Sequence, residues 1–329
     1  MARGGSERRA AEVTAEFDLI ERIRMRAGAR SDVILGIGDD AALLQVPAGK
    51  QLVVAMDTLN EGVHFPPETM AADIGWKSLA VNLSDLSAMG AQPAWCTLSL
   101  SLPQADRAWL DEFLDGFLAL AASHGVALVG GDTTRGPLSV CVTAHGFVDE
   151  GRALRRDGAR PGDDVWVSGT LGDAAAALAQ WRDGEPVVSA LKTRLDRPTP
   201  RTALGLALHG IANACIDVSD GLLADLGHVC RSSGVGAEIS VMELPASDAL
   251  LGAFDEGTRF IFQATGGDDY ELCFAAPEHC RDAIEAIGEQ ERIRVTRIGR
   301  IIAGQGVRAL RRDGSPWAPP SAGYTHFVS

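Results

Sequence analysis

The sequence predicts two α/β domains, built without a single doubly wound sheet. Three observations carry this. Apolar residues switch between helical and strand-like spacing along the chain, a polar turn cluster interrupts the pattern near its middle, and 329 residues are enough for two cores. The cluster reads Arg155-Arg156-Asp157-Gly158-Ala159-Arg160-Pro161-Gly162, a composition that breaks regular structure. The expected division is a flexible tail over residues 1–15, an N-terminal domain over 16–150 and a C-terminal α/β domain over 151–329.

Residues 17–25 carry apolar side chains at helical spacing and stop near Gly28. Residues 52–56 form a short apolar, strand-like run that delivers Asp57 at its end. Ile74, Leu79, Leu83 and Leu86 mark a helix over 71–89, closed by Gly90. Residues 96–102 alternate with period two, as a half-buried strand does. A second amphipathic helix over 109–122 precedes a strand over 126–129 and a Gly130-Gly131-Asp132 turn, and 138–148 alternates again. Beyond the turn cluster, 164–168 reads as a strand, 174–181 as a helix, and 187–211 as helical around Pro198 and Pro200. A strand end at 216–218 leads to a helix over 222–230. Strands over 260–264 and 271–275, a helix over 278–287, and strands over 295–302 and 307–310 complete the reading.

The formal net charge of −14 argues against a nucleic-acid surface, because contact with phosphate backbones needs a basic face. No apolar run approaches the roughly 20 residues of a membrane span. Residues 1–14 are polar and rich in Arg and Glu, unlike a signal peptide. Cys96, Cys141, Cys215, Cys230, Cys273 and Cys280 form no Cys-x-x-Cys pair and mostly sit in apolar runs. They read as reduced, buried thiols, so the expected compartment is the cytoplasm.

Aspartates recur in short segments containing Gly or Ser, and these carry the chemistry. They are Gly36-Ile37-Gly38-Asp39-Asp40, Met56-Asp57-Thr58, Asn82-Leu83-Ser84-Asp85, Gly130-Gly131-Asp132-Thr133, Asp217-Val218-Ser219-Asp220-Gly221 and Gly266-Gly267-Asp268-Asp269. Two unit charges about 4 Å apart repel by about 4 kcal/mol at an effective dielectric near 20. Carboxylates brought together therefore need hard cations between them; Mg²⁺ is the usual one, and it points to phosphate chemistry. Taken singly, Asp85 and Asp220 read more readily as helix-terminal acids, and Asp57 and Asp132 read also as turn residues. The known phosphate-binding signatures are missing. There is no Gly-x-x-x-x-Gly-Lys-Ser/Thr, and none of the three lysines, Lys50, Lys77 and Lys192, follows a glycine-rich loop.

In order and spacing, these six segments resemble those of the thiamine-monophosphate kinases, members of the aminoimidazole ribonucleotide synthetase-like ATP-binding superfamily. The resemblance extends from about Phe17 to Phe327. It implies an N-terminal ferredoxin-like-type sheet that pairs across a homodimer to form a barrel, and a C-terminal mixed α/β sandwich. It implies Mg²⁺- and ATP-dependent phosphorylation of thiamine monophosphate to thiamine diphosphate by direct in-line transfer, with several ions bound. Carried over by motif, Asp40, Asp57, Asp85, Asp132, Asp217 and Asp220 are the implied metal ligands. Gly131, Asp132, Arg156 and Ser219 are the implied ATP contacts, and His64, Asp268 and Tyr324 the implied contacts to the acceptor. No general base is implied, since a phosphate monoester with a second pKa near 6 is already ionised at neutral pH.

The chain departs from the family pattern at two points. Ala55-Met56 stand where hydroxyl side chains are usual before Asp-Thr, so a metal contact there falls to backbone carbonyls. Asp268 stands where Glu is common, which shortens the arm facing the acceptor. Arg135 reads either as a phosphate contact or as a partner to a neighbouring acid, and His64 alone reads more readily as a packed histidine; only its motif makes it a candidate contact. Two rival functions remain at this level. One is another superfamily enzyme that activates a carbonyl oxygen or selenide with ATP, although residues 1–35 lack the Cys that selenide chemistry favours. The other is a non-catalytic nucleotide binder.

Overall fold

In the computed structural model the described residues are 18–319; the expected tail and Tyr324 lie outside them. The chain divides into two compact units. One holds the described residues up to Asn82 together with Pro93–Phe147, and the other holds Leu83–Gln92 together with the described residues from Val148 onward.

The first unit carries helix α1 (18–26), a two-stranded antiparallel ribbon of β1 (Val33–Leu35) and β2 (Leu43–Leu44), and strand β3 (Lys50–Asn60). Helix α2 (Ala71–Ala88) follows, and it passes into the second unit at Leu83. Strand β4 (Gln92–Leu102), helix α3 (Arg107–Ser123), β5 (Ala127–Arg135) and β6 (Ser139–Asp149) complete a four-stranded sheet of order β3-β6-β4-β5. Helix α3 starts where Asp106 accepts the N–H groups of Ala108 and Trp109, and it buries Leu110, Phe113, Leu114, Phe117 and Leu120 at helical spacing. Its contact with α2 is backbone-close. A Cβ on Gly75 would lie 2.0 Å from the Phe113 carbonyl oxygen, and one on Gly116 would lie 1.8 Å from that of Ala72. On the sheet, Ala94, Trp95, Ala127, Val129 and Phe147 form a small core, with the Trp95 indole edge-on to Phe147.

The Gly130-Gly131-Asp132 turn expected from the sequence is instead part of β5, which runs unbroken to Arg135. It pairs in parallel with β4, and the register shifts between Cys96 and Thr97. Just beyond that shift Gly131 has φ +152°, and a Cβ there would stand 1.8 Å from the Leu98 carbonyl oxygen. The glycine is used for close approach of two strands, a need that looks the same in sequence as a turn.

The second unit contains β7 (Asp164–Ser168), helices α4 (Asp173–Arg182), α5 (Ser189–Asp196) and α6 (Thr202–Ala207), β8 (Ala214–Asp217) and α7 (Leu222–Ser233). Then come β9 (Gly236–Ser240), α8 (Asp248–Ala253), α9 (Glu256–Thr265), β10 (Leu272–Ala276), α10 (Arg281–Glu291), β11 (Val295–Ile302), β12 (Gly306–Leu310) and β13 (Pro316–Trp317). The seven strands form one mixed sheet of order β13-β12-β9-β11-β7-β10-β8, in which only β12 and β9 pair in parallel. One core cluster gathers Val165, Val167, Ile216, Leu222, Leu226, Ile239, Cys273 and Ile298. A second gathers Trp166, Leu204, Leu208, Cys215, Leu272 and Phe274.

The strand expected over 260–264 is the second half of α9. Asp255 accepts the Thr258 N–H and starts a helix, after which Gln263 and Ala264 turn into the interior. Five residues that include two phenylalanines and an isoleucine fit either period, and the Asp255 cap earlier in the chain decides between them. Strand β9 and helix α8 have no counterpart in the sequence reading. Among the described residues no helix is long and apolar enough to cross a membrane, and all six cysteines are free thiols.

Candidate active site

The candidate residues fall in both units. In the first, Asp40 is exposed on the loop between β1 and β2, and its N–H donates to the Asp39 carboxylate at 2.8 Å. Asp57 is half-buried on β3 and Asp132 exposed on β5, the two edge strands of the sheet, with β6 and β4 between them. Strand adjacency therefore does not bring these two carboxylates together. His64 sits in the turn after β3, where its Nδ1 accepts the Asn60 N–H at 3.0 Å. That bond assigns the ring proton to Nε2. The His64 carbonyl accepts from the Lys77 ammonium at 3.1 Å, so one of the three lysines serves to hold this turn.

In the second unit several candidates converge. The segment after β8 carries Asp217, Ser219 and Asp220, and the segment before β10 carries Asp268. Backbone bonds join the two. Asp268 N–H donates to the Ser219 carbonyl at 2.9 Å, Tyr270 N–H to that of Val218 at 2.8 Å, and Val218 N–H to that of Glu271 at 2.8 Å. Glycines permit the approach: a Cβ on Gly267 would lie 2.6 Å from the Ser219 oxygen, and one on Gly221 would lie 2.7 Å from that of Thr265. Asp217 is buried, and its Oδ2 accepts the Ser84 hydroxyl at 2.8 Å, which ties the segment to the neighbour of half-buried Asp85. Exposed Arg156 bears on this region through its charge: it and Arg231 lower the pKa of His228 after burial does, and Asp220 opposes them.

Asp225 was not singled out in the sequence, yet it organises this segment. Its Oδ2 accepts three consecutive N–H groups, those of Ser219 at 3.0 Å, Asp220 at 3.1 Å and Gly221 at 3.1 Å. Three convergent amides at a helix start would otherwise suit an anionic ligand. Here a buried carboxylate of the chain itself fills the place, leaving Asp217 and Asp220 to define the charge of the segment. Burial, with the charges of Asp217 and Asp220 adding, pushes the Asp225 carboxyl up to about 7. The signal available in sequence was an acid at helical spacing with Leu222, Leu226 and Val229 on the apolar face of α7.

A buried ionic cluster supports the other segment. Glu271 is fully buried and accepts from Arg194 at 2.7 Å, from both Arg201 nitrogens at 2.6 and 2.5 Å, and from Ser168 at 2.6 Å. Arg194 also donates to the Asp269 carbonyl at 3.1 Å. Asp269 turns inward and takes the Gly172 N–H on both oxygens, at 3.0 and 2.9 Å. Its carboxyl is raised well above the usual range by burial. Asp269 is thus structural, whereas its neighbour Asp268 is half-buried.

Among the described residues no group of three or more Asp, Glu, His or Cys side chains is already gathered as a metal site. The donor chemistry of the second unit nonetheless suits a hard cation. Asp217 and Asp220 are close enough to raise Asp225 together, and oxygen ligands of this kind match Mg²⁺.

The chain matches both domains of the AIR synthase related proteins. The family model for the N-terminal domain matches residues 38–148, and that for the C-terminal domain matches residues 160–311. The thiamine-monophosphate kinase of Salmonella typhimurium is 47% identical, over 95% of this chain and 98% of its own length. The crystal structure of thiamine-monophosphate kinase from Stenotrophomonas maltophilia K279a has a TM-score of 0.86 and 57% identity, covering 92% of this chain and 97% of that one. The structure of AaThiL complexed with AMPPCP and TMP has a TM-score of 0.75 at 33% identity, over 94% and 96% of the two chains. The chain belongs to the thiamine-monophosphate kinase family.

Proposed function

We propose that this chain transfers the γ-phosphoryl group of ATP to thiamine monophosphate, giving thiamine diphosphate and ADP. Membership of the family supports the activity, and the relative AaThiL was solved with AMPPCP and TMP. The observation that carries the reading in this chain is the backbone pairing of two segments. One bears the candidate metal and nucleotide residues Asp217, Ser219 and Asp220, and the other bears the candidate acceptor contact Asp268.

The acceptor phosphate is already an oxyanion at neutral pH, so the chain need not supply a base. The difficulty is bringing two polyanions into line, and positioning with charge neutralisation is the protein's task. Bound Mg²⁺ would supply that neutralisation and template the in-line geometry. Asp217 and Asp220 of the second unit, with Asp85, and Asp40, Asp57 and Asp132 of the first are the residues assigned to hold the ions. Gly131, Asp132, Arg156 and Ser219 are assigned to the nucleotide, and His64, Asp268 and Tyr324 to the acceptor.

We further propose a homodimer in which β3 pairs with its counterpart in a second copy. β3 is an edge strand, and Leu52, Val54 and Met56 are 45%, 54% and 63% exposed at alternate positions along it. An apolar row on a free strand edge calls for cover. The domain division over 16–150 and 151–329 belongs to the same proposal, and the cytoplasm is the proposed compartment, in keeping with six free thiols. The test is direct: the protein is incubated with ATP, Mg²⁺ and thiamine monophosphate, and thiamine diphosphate is assayed. Absence of thiamine diphosphate, with ADP appearing only when another acceptor is added, overturns the reading.

A further inference from the structure

Three residues other than glycine have left-handed φ among the described residues, and two lie in one short segment. They are Asp268 at +67° and Tyr270 at +49°; the third, Arg292, ends a helix, where such a conformation is ordinary. Asp tolerates this region, but for a bulky tyrosine it is a strained, uncommon conformation. A side chain is held there only when its surroundings over-determine it. The surroundings here do so. The N–H groups of Asp268 and Tyr270 are bonded to the carbonyls of Ser219 and Val218, the Asp269 carboxylate is fastened to Gly172, and Glu271 is locked by Arg194 and Arg201.

The strained backbone has one chemical result. With Asp269 turned inward, the side chains on either side of it meet, and the Tyr270 hydroxyl donates to Asp268 Oδ1 at 3.0 Å. A phenol is a suitable partner for a carboxylate that must stay charged, because it orients one oxygen without bringing a compensating cation, as Arg or Lys would.

We propose that Tyr270 is a positioning residue that aims the Asp268 carboxylate at the positively charged ring of the acceptor, and thereby selects cationic phosphate monoesters over neutral ones. The proposal rests on the reading that Asp268 contacts the acceptor. Tyr270→Phe removes only the hydroxyl, so calorimetric titration of thiamine monophosphate into wild type, Tyr270→Phe, Asp268→Asn and the double variant tests it. The expected result is about tenfold weaker binding in Tyr270→Phe, the scale of one hydrogen bond to a charged group. The Kd for ATP and the melting temperature should stay unchanged, and Tyr270→Phe should have no further effect in the Asp268→Asn background. Unchanged affinity for thiamine monophosphate in Tyr270→Phe overturns the inference alone. So do additive losses in the double variant, which would mean that the tyrosine acts independently of Asp268. A parallel fall in ATP affinity and melting temperature reduces Tyr270 to a structural role and overturns it too. Wild-type protein that neither binds nor phosphorylates thiamine monophosphate overturns the proposed function, and this inference with it.

Discussion

Glu271→Gln offers a demanding test of how the segment bearing Asp268 is held. The wild-type side chain is fully buried and meets the Arg194 and Arg201 guanidinium groups at 2.7 and 2.5 Å, whereas Asp173 stands 4.0 Å from Arg194. Removing one member of a buried ion pair costs about 3–5 kcal/mol, because the remaining charge is left uncompensated. Here Arg194 and Arg201 keep 19% and 16% exposure, Asp173 remains near one of them, and glutamine still offers an acceptor oxygen. The lower end of that range, about 3 kcal/mol, is therefore expected. Because the chain has two units, one global unfolding midpoint would mix their contributions. Native-state hydrogen exchange at the Leu272 and Val218 amides reads the site itself, since these donate to Ser168 Oγ and to the Glu271 carbonyl. A loss of about 3 kcal/mol lowers protection there about 150-fold. Arg201→Met in the same background should restore part of it by removing a stranded cation. A change below about fivefold at both amides would show that the cluster does not hold the segment, and the reasoning would be refuted.

Asp225→Ala strips three amides of their shared acceptor, one of them buried, and should destabilise the second unit by about 2–4 kcal/mol in urea unfolding. Asp225→Asn, which keeps an acceptor oxygen, should cost clearly less; equal costs would contradict the three-amide account. Gly131→Ala places a Cβ 1.8 Å from the Leu98 carbonyl oxygen, so β4 and β5 must separate. It should lower the melting temperature by several degrees or abolish soluble expression, and a variant as stable as wild type would refute the close approach. Burial holds the His145 imidazole below its usual pKa, with a backbone bond to Trp95 opposing. An NMR titration should therefore find a value under 6.5. The folded value is the lower one, so this contribution to stability is complete above pH 6.5 and is lost as the pH falls through that region. A titration midpoint at or above 6.5 would reverse the sign.

Much of the fold was legible in the sequence. β7 at Asp164–Ser168 stands where a strand was expected, and α2, α3 and α7 follow their apolar spacing to within a few residues. The misreadings have physical causes. Gly131 serves a strand-to-strand approach that uses the same residue as a turn, and residues 260–264 fit both periods until the Asp255 cap is considered. Of the candidate site, the aspartate segments were legible because Gly and Ser beside a carboxylate are locally distinctive. The roles of Asp225, Tyr270, Arg194 and Arg201 were not, since each depends on a partner that the chain brings near only by folding.

By itself, the sequence determined the alternation of helices and strands, the acid-rich, lysine-poor chemistry, and the six segments that mark the family. All of these depend on residue type and local spacing. The tertiary structure alone decided which acids turn inward to hold the scaffold and which stay at least partly exposed or bonded to another side chain. Asp225 and Asp269 turn inward onto backbone amides, Asp217 meets Ser84, and Asp268 is aimed by a tyrosine two residues away. A carboxylate's role depends on its burial and on what donates to it, and neither quantity exists before the chain folds.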